Sequence, residues 1–115
     1  MKTVFDHIRD HILSDNLLPD IESLEKSEWS LEFERLMRNR LIQGAFRYGL
    51  IGASAKPEFD RIECLIRRAK QYRETGNIEC LVDTANLALL EFVEGKHPNK
   101  HLRSVDDGTH TEKVK

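Results

Sequence analysis

Asn77-Ile-Glu-Cys-Leu-Val-Asp-Thr-Ala-Asn-Leu-Ala-Leu-Leu-Glu-Phe-Val-Glu94 is the most apolar helix the chain can form. At about 3.6 residues per turn, Ile78, Leu81, Val82, Ala85, Leu89 and Phe92 share one arc, which is the expected core-facing side. Glu79, Asp83 and Asn86 form a stripe beside that arc, and Leu87 and Leu90 carry the apolar character past it. Polar groups between two apolar surfaces need partners, and an unpaired buried carboxylate is costly. Asp83 is therefore expected to meet a cation, a metal ion, a donor network or trapped water.

Working outward, Gly76 can end a preceding helix in the left-handed region and Asn77 can cap the next, so two helices are expected as an antiparallel hairpin. The earlier one is expected from Pro57, which suits a first helical position, to about Glu74. There Phe59, Ile62, Leu65, Ile66, Ala69 and Tyr72 read as core, and Glu58, Arg61, Arg67, Arg68 and Lys70 as solvated. Ser30 can cap a helix over 31–48, whose apolar positions Phe33, Leu36, Met37, Leu41, Gly44, Ala45 and Tyr48 follow the helical template. Gly44 and Ala45 suit close approach of another helix.

Residues 3–14 read as a short amphipathic helix with Val4, Phe5, Ile8 and Ile12 inward, ending near Ser14-Asp15-Asn16. Residues 16–29, with Pro19, read as a connector that can hold a turn of helix. Gly95 and Pro98 close the last helix, and the sequence beyond Lys96 is polar. The expected fold is all-α: a compact bundle of three long helices plus a short N-terminal helix, with one domain over 1–96 and a polar tail over 97–115. Only eight aromatic residues and six glycines, with no alternating strand pattern, fit that class.

The length of 115 residues suits one small core. Charged residues make up 33% and nearly cancel, leaving a formal net charge of -2, so the basic excess that drives general nucleic-acid binding is missing. No apolar run is long enough to span a bilayer, and Cys64 and Cys80 lack a CxxC spacing. The expected setting is a reducing cytoplasm, with neither nucleic acid nor a membrane as partner.

Arg40 lies near the middle of the apolar stripe of helix 31–48, where a planar guanidinium wants a carboxylate, and Asp83 is the first candidate. Two readings follow. In one, Arg40 and Asp83 form a structural ion pair and Asn86 bonds to backbone. In the other, Glu79 and Asp83, one turn apart, hold Mg2+ through oxygen ligands while Arg38, Arg40 or Arg47 holds a phosphate. What lies around the Asp83 carboxylate separates them. Asp60 and Glu63 sit early in their helix, as Glu79 and Asp83 do in theirs, so antiparallel packing separates the two pairs by more than about 10 Å along the axis. His7 and His11 are spaced i, i+4 but have no third ligand fixed by spacing, and His97, His101, Asp106, Asp107 and His110 read as polar tail. Lys56, Arg61, Arg67, Arg68 and Arg73 read as ordinary surface charge.

Residues 30–94 resemble the MazG-like all-α nucleoside triphosphate pyrophosphohydrolases, through carboxylates on facing helices and Glu79-Cys80-Leu81-Val82-Asp83-Thr84-Ala85-Asn86. This stretch has one residue more between Glu and Asp than the family's Glu-x-x-Asp. The upstream Glu-Glu-x-x-Glu element is replaced by Glu32-Phe33-Glu34 and Asp60-Arg61-Ile62-Glu63. Arg47-Tyr48-Gly49 and Thr75-Gly76-Asn77 are also similar to segments of small phage and bacterial proteins of unassigned role. The MazG-like resemblance implies Mg2+-dependent cleavage of a nucleotide between its α and β phosphates, in a dimer or tetramer. Asp83 and Glu79 would be catalytic, with Glu34 as a further metal ligand and Arg38, Arg40, Arg47 and Asn86 on the substrate. The alternative expectation is a degenerate or non-enzymatic helical module that self-associates or binds a partner, with Leu87, Leu90 and the N-terminal helix as its interface.

Overall fold

The computed structural model describes residues 3–6, 9, 19–105 and 113–114. It is all-α, with no strand among the described residues. The helices are α1 (Ile21–Ser27), α2 (Leu31–Tyr48), α3 (Arg61–Thr75) and α4 (Ile78–Glu94). None of them is long and apolar enough to cross a membrane. The chain divides into two units, residues 30–98 and residues 1–29 with 99–115.

In the second of these, Thr3 and Asp6 cap each other reciprocally: the Asp6 amide donates to Thr3 Oγ1 and the Thr3 amide to Asp6 Oδ2, at 3.1 and 3.0 Å. Residues 4–6 and 9 are helical. The remainder of the helix expected over 3–14, with His7, Ile8, His11, Ile12 and the Ser14–Asn16 stop, lies outside the described residues, as do Asp106, Asp107 and His110. Asp20 caps α1, accepting from the Ser23 amide at 2.8 Å.

In the unit of residues 30–98, caps set the boundaries. Ser30 Oγ accepts from the Phe33 amide and starts α2, and Asn77 accepts from the Glu79 amide and starts α4. The α3 start differs from the expected Pro57: Asp60 accepts from the Glu63 amide, so the helix begins at Arg61. Gly76 ends α3 at φ 72°, ψ 8°, a left-handed geometry that a Cβ disfavours. Gly76→Ala is expected to destabilise the chain by about 1–2 kcal/mol in urea unfolding, with the fold intact.

Helix α4 is the hub, packing against both α3 and α2, whereas α2 and α3 do not pack on each other. A helix without a basic residue and with eleven apolar ones can bury two sides. Its buried residues are Cys80, Val82 (2% exposed) and Asn86 (5%). The arc predicted to face the core is only partly inward: Ile78 is 60% exposed and Phe92 73%. The reason is the two-sided packing, which turns Val82, Asp83 and Asn86 toward the neighbours and rotates Ile78 and Phe92 away. On α3 the expected pattern is likewise reversed in part, with Arg61 buried and Ile62 and Ile66 exposed. Gly44 is not a close-packing site, since a Cβ there would meet only the Tyr48 ring, at 3.9 Å.

Candidate functional site

Because α2 and α3 flank α4 without touching, a cavity of about 590 Å³ opens between them, closed at one end by the 49–60 loop. Arg40, Gly44 and Arg47 line it from α2, with Leu41, Gln43, Ala45 and Tyr48 beside them, Arg61, Cys64, Arg67, Arg68 and Gln71 from α3, and Asp83, Asn86, Leu87 and Leu90 from α4. The α3 and α4 sets fall on one side of their helices, at spacings of i, i+3, i+4 and i+7.

The Arg40 guanidinium grips Asp83 with two bonds, Nε to Oδ1 at 3.1 Å and Nη2 to Oδ2 at 3.3 Å. Its Nη1 reaches Glu79 Oε1 at 2.9 Å and Gln43 Oε1 at 2.9 Å. Arg68 Nε lies 3.6 Å from Asp83 Oδ2. The hydrogen bond from Arg40 to Asp83, aided by the nearby Asp83 and Glu79 charges and opposed by burial, holds the guanidinium pKa above its ordinary value. Asn86 Nδ2 donates to the Met37 carbonyl at 3.0 Å, which fixes the amide's orientation and ties α4 to α2. Its Oδ1 is buried and accepts no hydrogen bond.

The loop end is fixed by Glu94. It accepts from the Gly52 amide at 2.9 Å and from Arg61 Nη2 at 2.9 Å, and Lys56 Nζ lies 3.2 Å from both carboxylate oxygens. Gly52 takes φ 84°, the left-handed region, where its amide bonds to Glu94. The Gly52 amide foremost, then Arg61, with Lys56 adding to them against the opposing effect of burial, bring the Glu94 carboxyl down to about 2. Tyr48 and Phe59 meet edge to face at 5.7 Å. Arg47 lies over the Tyr48 ring and Arg61 over the Phe59 ring, at 5.9 and 5.4 Å.

Of the residues expected to form a site, Arg40, Arg47, Asp83 and Asn86 line the cavity. Glu79 touches it through Arg40. Arg38 and Glu34 do not join them; they pair along α2 at 3.7 Å. Among the described residues no group of three or more His, Cys, Asp and Glu side chains is arranged to hold a metal ion, so Glu34 does not complete a set with Glu79 and Asp83. Both Asp83 oxygens already face guanidinium nitrogens. A Mg2+ ion at Asp83 would have to share or displace those guanidinium contacts.

What the sequence reading missed is the charge. Six cationic side chains (Arg40, Arg47, Lys56, Arg61, Arg67 and Arg68) line the cavity against the single Asp83 carboxylate. Counting Glu79 and Glu94 as well still leaves an excess of three positive charges, in a chain whose net charge is -2. Arg47 and Arg67 have no carboxylate within ion-pairing distance among the described residues. Comparisons with protein-family models, with curated proteins and with solved structures found no match to this chain.

Proposed function

We propose that the protein is a non-enzymatic helical binding module whose cavity takes a small organic phosphate. The observation that carries this reading is the positive excess around a half-open cavity, with two guanidiniums free of carboxylate partners. Guanidinium groups match phosphate oxygens with paired donors, and a low-dielectric wall strengthens each contact. The apolar side chains Ile51, Leu87 and Leu90, with the Tyr48 and Phe59 rings, give the body of such a ligand a surface to cover. A nucleoside monophosphate has both parts, an anionic phosphate and a flat, largely apolar body.

Pyrophosphate cleavage, as implied by the MazG-like resemblance, would require Glu79 and Asp83 to leave Arg40 for a metal ion. Their pairing favours binding without turnover. The free thiols Cys64 and Cys80 accord with a cytoplasmic setting.

Calorimetric titration with a nucleoside monophosphate and with inorganic pyrophosphate tests the reading. Arg67→Glu is expected to weaken binding roughly 10- to 100-fold, the usual effect of losing a charge-assisted phosphate contact, while leaving the unfolding midpoint nearly unchanged because Arg67 holds no partner. Equal affinity in both proteins would remove the cavity from consideration. Release of monophosphate and pyrophosphate from a nucleoside triphosphate in the presence of Mg2+ would replace the binding reading with the enzymatic one.

A further inference from the structure

The side of the α3–α4 hairpin away from the cavity is apolar and open. The two helices run antiparallel, joined by Arg61 to Glu94 at one end and Arg68 to Asp83 further along. On α3 the cavity takes Arg61, Cys64, Arg67, Arg68 and Gln71, leaving Ile62, Ile66 and Ala69 on the opposite flank, with Arg73 at its end. On α4 it takes Asp83, Asn86, Leu87 and Leu90, leaving Leu81, Ala85, Ala88 and Phe92, with Ile78 at their edge. Ile62, Ile66, Ile78, Ala88 and Phe92 are exposed, an apolar area shared by two helices rather than isolated residues.

We infer that this face docks a second copy of the chain, hairpin on hairpin, about a two-fold axis level with Ala85. The charge pattern selects that occupant and that direction. Glu63 and Lys70 stand seven residues apart on the outer flank of α3, exposed, with no ion pair to either side chain among the described residues. A two-fold that runs α3 antiparallel to its copy sets each Glu63 across from the other copy's Lys70, whereas a parallel arrangement sets like charges together. The same operation brings Ile78 over the second copy's Phe92 and lets the small Ala85 side chains meet at the axis. Large groups at the ends and small ones at the centre are what antiparallel helices need to approach closely. Leu87 and Leu90, the residues expected to mediate self-association, point instead to the cavity, so the interface and the ligand site lie on opposite sides of α4.

Sedimentation equilibrium of the full chain tests this. The wild-type chain is expected to dimerise, and Phe92→Glu to weaken the dimer at least roughly tenfold, because it sets a carboxylate against the second copy's Ile78 at both ends of the interface. Helix content by circular dichroism should not change in that variant, because Phe92 is exposed within its own subunit. Glu63→Lys and Lys70→Glu should each weaken the dimer, and the double variant should recover it. A monomeric wild-type chain, a dimer indifferent to Phe92→Glu, or a double exchange that fails to recover association would each overturn the inference.

Discussion

Glu94→Ala is expected to be among the most destabilising single substitutions in residues 30–98, lowering unfolding free energy by about 3–5 kcal/mol. Lys56 and Arg61 are nearly inaccessible, with side-chain exposures of 8% and 10%, and Glu94 is the carboxylate that both contact. Removing it strands two cations beside a cavity already rich in positive charge, and the Gly52 amide loses its acceptor. Removing one member of a partly buried pair is worse than never having had it, because the desolvated partner remains. The same deletion should tighten phosphate binding, since an anion can take the place of the lost carboxylate. Stability and affinity should therefore move in opposite directions, and phosphate should raise the variant's melting temperature more than the wild type's. A melting temperature within a degree or so of wild type would show that the cluster contributes no net stability.

The pH dependence follows from the same group. A carboxyl at about 2 in the fold, against an ordinary value of 4.5, binds its proton less readily when folded than when unfolded. Its contribution to stability is complete above about 4.5 and declines as pH falls toward about 2. Acid unfolding of the wild-type chain should carry this component, and Glu94→Gln should lack it.

The three long helices were readable because local signals agreed with the global pattern. Ser30 and Asn77 cap where their side chains can reach the next free amide, and the apolar period of 31–48 matches the α2 face turned to α4. The Arg40 to Asp83 pair was also readable, because a guanidinium inside an apolar stripe has few alternatives to a carboxylate. The cavity was not. Arg61 looks like solvated charge on an isolated α3, and only the path of the 49–60 loop, which brings Lys56 to the Glu94 that Arg61 also contacts, turns it inward. One local clue was present. An acidic residue at the last position of a helix opposes the helix dipole, so Glu94 at the end of α4 signals a cationic partner. The rotation of α4 was likewise beyond periodicity, because a helix apolar over most of its surface does not announce which sides will be covered.

Replacing Asp83 decides what that residue is for. Asp83→Asn should lower stability by about 2–3 kcal/mol, since an amide offers the Arg40 fork one acceptor oxygen instead of two and no charge. Arg40→Met combined with Asp83→Leu should recover most of that loss, because apolar residues of similar volume often replace a partly buried ion pair without penalty. A residue kept for catalysis would behave differently. Titration of the wild-type chain with Mg2+ would then give a heat that vanishes in Asp83→Asn, and stability would change little. The expected pair of results, no Mg2+ heat in either protein and a destabilised Asn variant, places Asp83 as the anchor that holds α2 against α4 and keeps Arg40 at the cavity wall. With Arg40 released, phosphate affinity should also fall in Asp83→Asn, even though the substitution removes a negative charge from the cavity. Simple electrostatics would predict the opposite sign, so the direction of that change separates positioning of Arg40 from general repulsion of the ligand by Asp83.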